Sequence, residues 1–537
     1  MLRDQPVAEV PLARSAGLAG VATLASRILG LVRDQVLAAL FGAGNDMDAF
    51  IVAFRIPNLV RDLFAEGAMS AAFVPTFTRQ LTLHGKSEAW RFGNNVLNAL
   101  LLVTGLVVVL GVVFAHPIVA TYAADYTVVP GKLELTVRLT RIVLPFLVLV
   151  AVAAAMMGML NSLHHYFLPA LAPATFNLAT IVGAFTLVPL MSWVGWPPIM
   201  GIAIAAIIGG MGQVATQWPS LRGEGFRYRL RFEPRDPGLR EVLFLMGPGT
   251  IGLAATQVNV FVNTLLATGQ GTGAVSWLAY AFRLMYLPIG LFGVSIATAV
   301  LPAVARRAAS QDLDGIRATV SRGISLMLMV NVPATLGLMT LATPIVQLLF
   351  EHGRFGPADT AQTAAALRLY AVGLIGYSTA RIVSPTFYAL RESKIPVAVS
   401  MGSIALNVVL STALVEVIGF RGLALGTALA ALFDGALLMF LLRQRLNGIG
   451  GATLAVAFAK VTLAGLVMAA ATVGVEWILT GIVLGGSVYA QAVRLSLEIV
   501  TGLAVLAVAA KLLRISEFAD AVALLRSRLG SSKRAAL

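Results

Sequence analysis

The chain has 537 residues, 58% of them hydrophobic and only 12% charged, with a net charge of +14 and no cysteine, and its mean hydropathy is +0.86. This balance excludes an ordinary soluble domain, and the lack of cysteine excludes disulfides, thiolate metal sites and cysteine nucleophiles. Uncharged runs as long as residues 167–221 exceed any soluble core helix, and runs of span length without a period of two exclude a membrane β-barrel, so the chain reads as an all-α integral membrane protein.

Taken in chain order, the apolar runs give about fourteen spans, near 15–41, 45–80, 90–116, 134–162, 167–191, 197–218, 240–268, 274–305, 321–344, 361–390, 395–417, 421–442, 452–480 and 487–511. The first is expected to be a retained helix, because residues 1–14 are mixed polar and no small-residue cleavage site follows. The basic loops all lie on one side. Arg79, Lys86 and Arg91 follow the second span, five arginines from Arg222 to Arg235 follow the sixth, and Arg306, Arg307 and Arg317 follow the eighth. Loops 42–48, 192–197 and 268–275 hold no lysine or arginine, so both termini are expected in the cytoplasm. Dispersal of the charge over several loops speaks against nucleic acid as a partner. Residues 515–534 suit either an interfacial helix or a basic tail.

The sequence repeats at a separation near 227 residues. Ala53-Phe54-Arg55-Ile56, Leu63-Phe64 and Val74-Pro75 recur as Ala281-Phe282-Arg283-Leu284, Leu291-Phe292 and Leu301-Pro302, and Leu163 to Pro169 recurs as Leu390 to Pro396. Six spans preserve orientation, which predicts two six-helix lobes, residues 1–220 and 221–446, as parallel repeats with a substrate site between them. The last two spans, within residues 447–514, are an addition, and residues 515–537 form the tail.

Arg27, Arg33, Arg55, Arg61 and Arg283 lie inside spans, where an ionised side chain is costly. Helical spacing puts Arg27 and Asp34 on one face with Arg33 rotated away, and Asp48, Arg55 and Asp62 on another, although Pro57 bends that span. Asp34, Asp48, Asp62 and Glu66 are expected to hold the guanidiniums when the site is empty. The bland alternative is ion pairing or snorkelling, and it fits Arg33 and Arg61 best because they lie nearer span ends. The functional reading is an anion site: guanidinium forks match phosphate oxygens and stay charged, so a diphosphate headgroup fits. Mid-span Arg381 and Asp434 are candidate coupling residues or a structural pair. Gly247-Pro248-Gly249-Thr250-Ile251-Gly252 matches a dinucleotide pattern, but without a preceding strand it reads as helix packing, as do Gly422 and Gly426. An enzyme would need acids or histidines around a metal or nucleophile, and none of the five histidines has metal-binding spacing.

Ser26-Arg27-Ile28-Leu29-Gly30, Arg33-Asp34, Phe41-Gly42-Ala43-Gly44, Asp48-Ala49-Phe50, Pro57-Asn58-Leu59 and Phe64 to Ala68 resemble the amino-terminal signature of the MurJ (MviN) lipid II flippases. The likeness continues in Gly247-Pro248, Val275-Ser276-Trp277, Arg283-Leu284-Met285 and Pro385 to Pro396. It implies the multidrug, oligosaccharidyl-lipid and polysaccharide exporter superfamily, with a cationic central cavity and a lipid-tail groove at the last two helices. It further implies a flippase of the peptidoglycan precursor in the bacterial inner membrane, working by alternating access, with no bond made or broken. Arg27, Arg33, Arg61 and Arg283 would contact or gate the diphosphate, with Ser26, Asp34, Asp48 and Glu66 gating or pairing. Phe282 stands where relatives commonly have an acid. Some relatives bind sodium in the second lobe, and the neutral Asn263, Asn407 and Thr427 are the polar candidates here; coupling to Na+ or to the membrane potential is expected. A monomer, with cell-wall synthesis proteins as partners, is the corresponding expectation. An exporter of drugs or of another polyprenyl-linked oligosaccharide, and a scaffold that recruits cell-wall enzymes, are the competing readings.

Overall fold

The computed structural model describes residues 12–61, 69–290, 294–482 and 487–518. Among them the chain forms α-helices with short connections and no strand. In order these are α1 (Leu12–Phe41), α2 (Asn45–Arg61), α3 (Met69–Val113), α4 (Ala115–Tyr122), α5 (Lys132–Val143), α6 (Phe146–Ser162), α7 (Phe167–Trp193), α8 (Ile199–Gly223), α9 (Pro237–Thr268) and α10 (Ala274–Pro288). There follow α11 (Val294–Ala309), α12 (Leu313–Thr340), α13 (Ala342–Phe350), α14 (Pro357–Val372), α15 (Leu374–Ala389), α16 (Lys394–Ile418), α17 (Arg421–Arg445), α18 (Gly451–Ile482) and α19 (Val488–Leu512). The helices fall on the expected spans. Gly85, at φ 80°, breaks α3 where the second expected span hands over to the third.

Among the described residues, nine stretches are long and apolar enough to cross a bilayer by composition alone. The five remaining expected spans are carried by α1, α2, α9, α10 with α11, and α14 with α15. They hold Arg27, Arg33, Arg55, Arg61, Arg283 and Arg381, so the intramembrane arginines lie on these helices, several of which are short because the span is broken in two. The repeat is also legible in helix boundaries. Short α4 follows the third span and short α13 begins 227 residues after it, while the span after each is broken, at Leu144-Pro145 and at Gly373 respectively. Helix starts are set locally: the Asp236 carboxylate accepts from the Leu239 amide at 2.9 Å with Pro237 behind it, and Asp312 accepts from the Gly315 amide at 2.8 Å.

The chain divides into two compact units, one of residues up to Ser276 together with His352–Phe355, the other of Trp277–Glu351 with Gly356 onward. In the first unit Phe73, Phe77, Trp90 and Phe92 of α3 form an aromatic core against Met156 and Met159 of α6 and Leu221 of α8. Leu239, Val242 and Met246 of α9 join this core. That packing puts α9, expected from the repeat to open the second lobe, in the first unit. In the second unit, α16 and α17 approach closely at glycine: a Cβ on Gly422 would lie 2.4 Å from the Leu414 carbonyl carbon, and one on Gly426 2.7 Å from Ser411 Oγ. Small residues here serve packing, as the spacing suggested. Helix α18 packs on α12, and α19 on α18, in one apolar cluster that includes Met329 and Val332 of α12, Val461 and Met468 of α18 and Leu506 of α19.

Candidate functional site

Arg33 is a firmly held intramembrane cation of the first unit. Its Nη2 and Nε donate to Asp34 Oδ1 at 2.8 and 3.1 Å, and Nη1 donates to Asn177 Oδ1 of α7 at 3.0 Å. The guanidinium also lies over the Phe176 ring, 5.3 Å from its centroid. Asn177 in turn donates to the Ser26 carbonyl at 2.9 Å, and it packs beside Gly30, where a Cβ would meet its amide in ordinary contact at 3.5 Å. One side chain from α7 therefore ties Ser26 to Arg33. Asp34 is buried and takes its sequence neighbour Arg33 as a partner, one of the guanidiniums it was expected to hold, although helical spacing alone turns Arg33 off the face of Asp34.

The other intramembrane arginines of the first unit lie on α1 and α2. Phe54 lies against Phe146 and Phe176 at 5.2 and 5.7 Å, so Arg33, over Phe176, borders an aromatic cluster that α2 joins through Phe54. Arg55 and Arg61 are half-buried and Arg27 is exposed. Asp62 and Glu66 lie outside the described residues.

Asp48 does not serve the arginines. It is fully buried, and its Oδ2 accepts from Lys132 Nζ at 3.0 Å and from the Gly273 amide at 2.8 Å, while Oδ1 accepts from the Ser276 amide at 3.1 Å and the Ser276 hydroxyl at 2.7 Å. Lys132 stands 4.1 Å from the centre of the Tyr126 ring. A buried carboxylate with four donors is fully compensated, so the start of α2, the start of α5 and the entrance to α10 are locked together. A second tie joins the same end of the unit. The Arg354 amide donates to the Ala39 carbonyl at 2.8 Å, with Gly353 at φ 59° so close that a Cβ would sit 2.2 Å from that oxygen, and Gly42 at φ 61° facing the Arg354 carbonyl at 2.7 Å.

In the second unit, Arg283 is exposed on α10. One turn along, Tyr286 receives Arg381 of α15, which donates to its hydroxyl and lies 5.4 Å from its ring centre. Arg381 and Arg283 therefore flank one tyrosine, and Arg381 is engaged there instead of pairing with Asp434. Phe282 stacks on Tyr286 at 5.9 Å and meets Tyr370 edge-on at 5.4 Å, so the place where the resemblance implied an acid is an aromatic contact here. One carboxylate oxygen of Asp434 is buried without a hydrogen-bond partner among the described residues. Asn407 is buried and accepts from the Ser411 hydroxyl at 3.2 Å, and the Thr427 hydroxyl is spent on the Leu423 carbonyl at 2.7 Å. Asn263 belongs to α9 in the first unit, so the three neutral candidates for a sodium site do not gather within one unit.

Sequence reasoning missed Asn177, Lys132 and Ser276. Lys132 was readable as a lone lysine before an apolar run, and Ser276 as part of a quoted motif. Nothing in the sequence pointed to Asn177, because its role depends on α7 lying against α1. Arg33, held by Asp34 and Asn177 and lying over the Phe176 ring, is a fixed cation within the span region, which is chemistry for holding an anion.

Comparison with known proteins fits this geometry. A family model described as lipid II flippase MurJ matches residues 37–493. The probable lipid II flippase MurJ of Vibrio cholerae serotype O1 is 34% identical over 437 residues, covering 80% of this chain and 82% of that protein. The corresponding protein of Bdellovibrio bacteriovorus is 36% identical over 456 residues, covering 84% and 86%. A solved lipid II flippase MurJ in an inward closed conformation superposes with a TM-score of 0.75 at 25% identity, covering 92% of this chain and 99% of that one. An inward-facing multidrug transporter of the MATE family shares the fold, with a TM-score of 0.66 at 16% identity, covering 80% and 98%.

Proposed function

The chain belongs to the lipid II flippase MurJ family, and from that membership we propose how its residues do the work. It is a multi-pass protein of the bacterial inner membrane that moves lipid II across it. Arg27, Arg33, Arg55 and Arg61 of the first unit and Arg283 of the second take the place of water around the diphosphate, with Ser26, Asp34 and Glu66 pairing or gating, while Asp48 is a structural carboxylate held by Lys132 and Ser276. The observation that supports this most is Arg33, held by Asp34, Asn177 and Phe176 in a fixed pose before any anion arrives. A guanidinium ordered in advance loses little freedom on meeting phosphate, so more of the interaction appears as affinity.

Transport proceeds by alternating access while the polyprenyl tail stays in lipid along α18 and α19, and no covalent chemistry takes place. Both termini face the cytoplasm, and the protein acts as a monomer. Export of negative charge from a negative interior is downhill by about 2.3 kcal/mol per charge per 100 mV, so the membrane potential supplies part of the drive. Sodium is the alternative source, with Asn407, Thr427, Asp434 and Arg381 as the coupling residues. Collapsing the potential in reconstituted vesicles is expected to slow net transport, and an unchanged rate would remove that source.

Complementation of a flippase-depleted cell tests the site. Arg27→Ala, Arg61→Ala and Arg283→Ala are each expected to fail at normal protein level. Normal growth from all three would overturn the assignment and leave the arginines as structural charges.

A further inference from the structure

We propose that the segment between α8 and α9, residues 226–235, is a rigid interfacial strap that docks on anionic phospholipid headgroups of the leaflet beside it. The inference concerns lipid neighbours and holds whatever the chain transports.

Three asparagines of α3 fix the strap's backbone. Asn94 Nδ2 donates to the Arg227 carbonyl at 3.0 Å and its Oδ1 accepts from the Arg229 amide at 2.8 Å. Asn98 Nδ2 donates to the carbonyls of Arg229 and Arg231 at 2.8 and 2.9 Å, and Asn95 both donates to the Glu233 carbonyl and accepts from its amide, at 3.0 and 2.8 Å. Both ends are tied as well. Phe226 is buried against Trp90 and Trp218, 5.3 and 6.0 Å between ring centres, and Glu233 accepts from Arg91 at 3.0 Å.

Every main-chain group held by an asparagine belongs to an odd-numbered residue. A repeat of two is the signature of extended chain, in which odd and even side chains take opposite faces. Odd positions are Arg227, Arg229 and Arg231, and even ones are Tyr228, Leu230 and Phe232. The main-chain groups of the even residues turn away from α3, and an unpaired edge of this kind does not survive in hydrocarbon, so the strap lies at headgroup level.

Its two faces suit that level. Leu230 is 88% exposed and Phe232 48%, more apolar surface than a water-facing loop of this length needs. Leu230 lies between the two carbonyls that Asn98 binds, and one helical turn further along α3 is Leu102, 57% exposed on that helix's apolar surface. The leucine is thereby placed at the acyl boundary. Arg231 is committed to Glu233, but Arg227 and Arg229 are exposed and make no side-chain ion pair among the described residues. Fixed, uncommitted positive charge beside apolar anchors is complementary to an anionic headgroup above its acyl chain. The spans already retain the protein in the bilayer, so the strap selects which lipids sit next to α3.

The test uses the full chain, whose lack of cysteine makes Leu230→Cys the only thiol. That position carries an environment-sensitive fluorophore, and the detergent-solubilised protein is titrated with phosphatidylglycerol or with phosphatidylcholine. Phosphatidylglycerol is expected to blue-shift the label and bring it within reach of lipids spin-labelled near the headgroup, whereas phosphatidylcholine does so weakly. Arg227→Gln with Arg229→Gln, both at exposed positions, is expected to raise the phosphatidylglycerol needed for half the change more than tenfold, from about five-fold per arginine. Equal response to the two lipids, an unchanged midpoint in the double variant, or an equal response from a label at exposed Leu83 would overturn the proposal.

Discussion

Removing either partner of the Asp48–Lys132 pair probes how firmly the first unit is locked. Asp48 is fully buried and Lys132 is 3% exposed, so the interaction is not screened by solvent. Asp48→Ala strands a buried ammonium and leaves the Gly273 and Ser276 amides without acceptors, which costs about 3–5 kcal/mol for the charge alone. Lys132→Met leaves Asp48 with three donors still in place, at 2.8, 3.1 and 2.7 Å, and is expected to cost less, about 1–3 kcal/mol. Asp48→Ala with Lys132→Met removes both charges, so the double variant should be less damaging than the sum of these two singles by about 2 kcal/mol. Denaturant titration of the purified single and double variants in one detergent gives these values. Additivity within about 0.5 kcal/mol would refute the claim that the two charges compensate one another.

Asn177→Ala removes the bridge between Ser26 and Arg33 and should slow lipid II flipping in vesicles about tenfold, the effect of one charge-assisted hydrogen bond; an unchanged rate at equal protein level would make Asn177 merely a packing residue. Gly353→Ala places a Cβ 2.2 Å from the Ala39 carbonyl oxygen at a positive φ, so the 352–355 segment should detach and become a protease target in an otherwise folded protein, and resistance equal to wild type would contradict the tie. Hydrogen bonds from Lys86 and then His165 hold the Glu224 carboxyl below its ordinary value of 4.5. A depressed carboxylate stabilises the fold fully above the ordinary value and loses that contribution as pH falls through the depressed one. Hydrogen exchange at residues 222–226 should therefore stay slow as pH is lowered to 4.5 and accelerate, beyond its intrinsic pH dependence, only below it.

Composition and span length made the helical class legible, and the recurrence of arginine and proline at one offset made the repeat legible before any helix was placed. The repeat did not reveal where α9 packs, because Leu239, Val242 and Met246 look like any lipid-facing apolar residues until α3 supplies Phe92 and its neighbours. Cost at depth marked Arg33, Arg55 and Arg283 as unusual, since few other reasons place a guanidinium in a span. Pairing was harder to read. Asp34 went to its neighbour and Asp48 to a lysine 84 residues away, because flexible side chains choose partners by tertiary proximity and helical periodicity sees only one helix at a time. The strap's alternation of arginine with Tyr228, Leu230 and Phe232 was present in the sequence as well, but it was read only as loop charge.

The most direct measurement is the affinity of the purified protein for lipid II with Arg33 intact, changed to Gln and changed to Lys. If guanidiniums set in the first unit hold the diphosphate, Arg33→Gln should weaken binding at least about tenfold and Arg33→Lys less, since a charge-assisted bond to phosphate is worth about 1.5–3 kcal/mol and lysine keeps the charge without the fork. Equal affinities for all three proteins would mean that the diphosphate is held elsewhere.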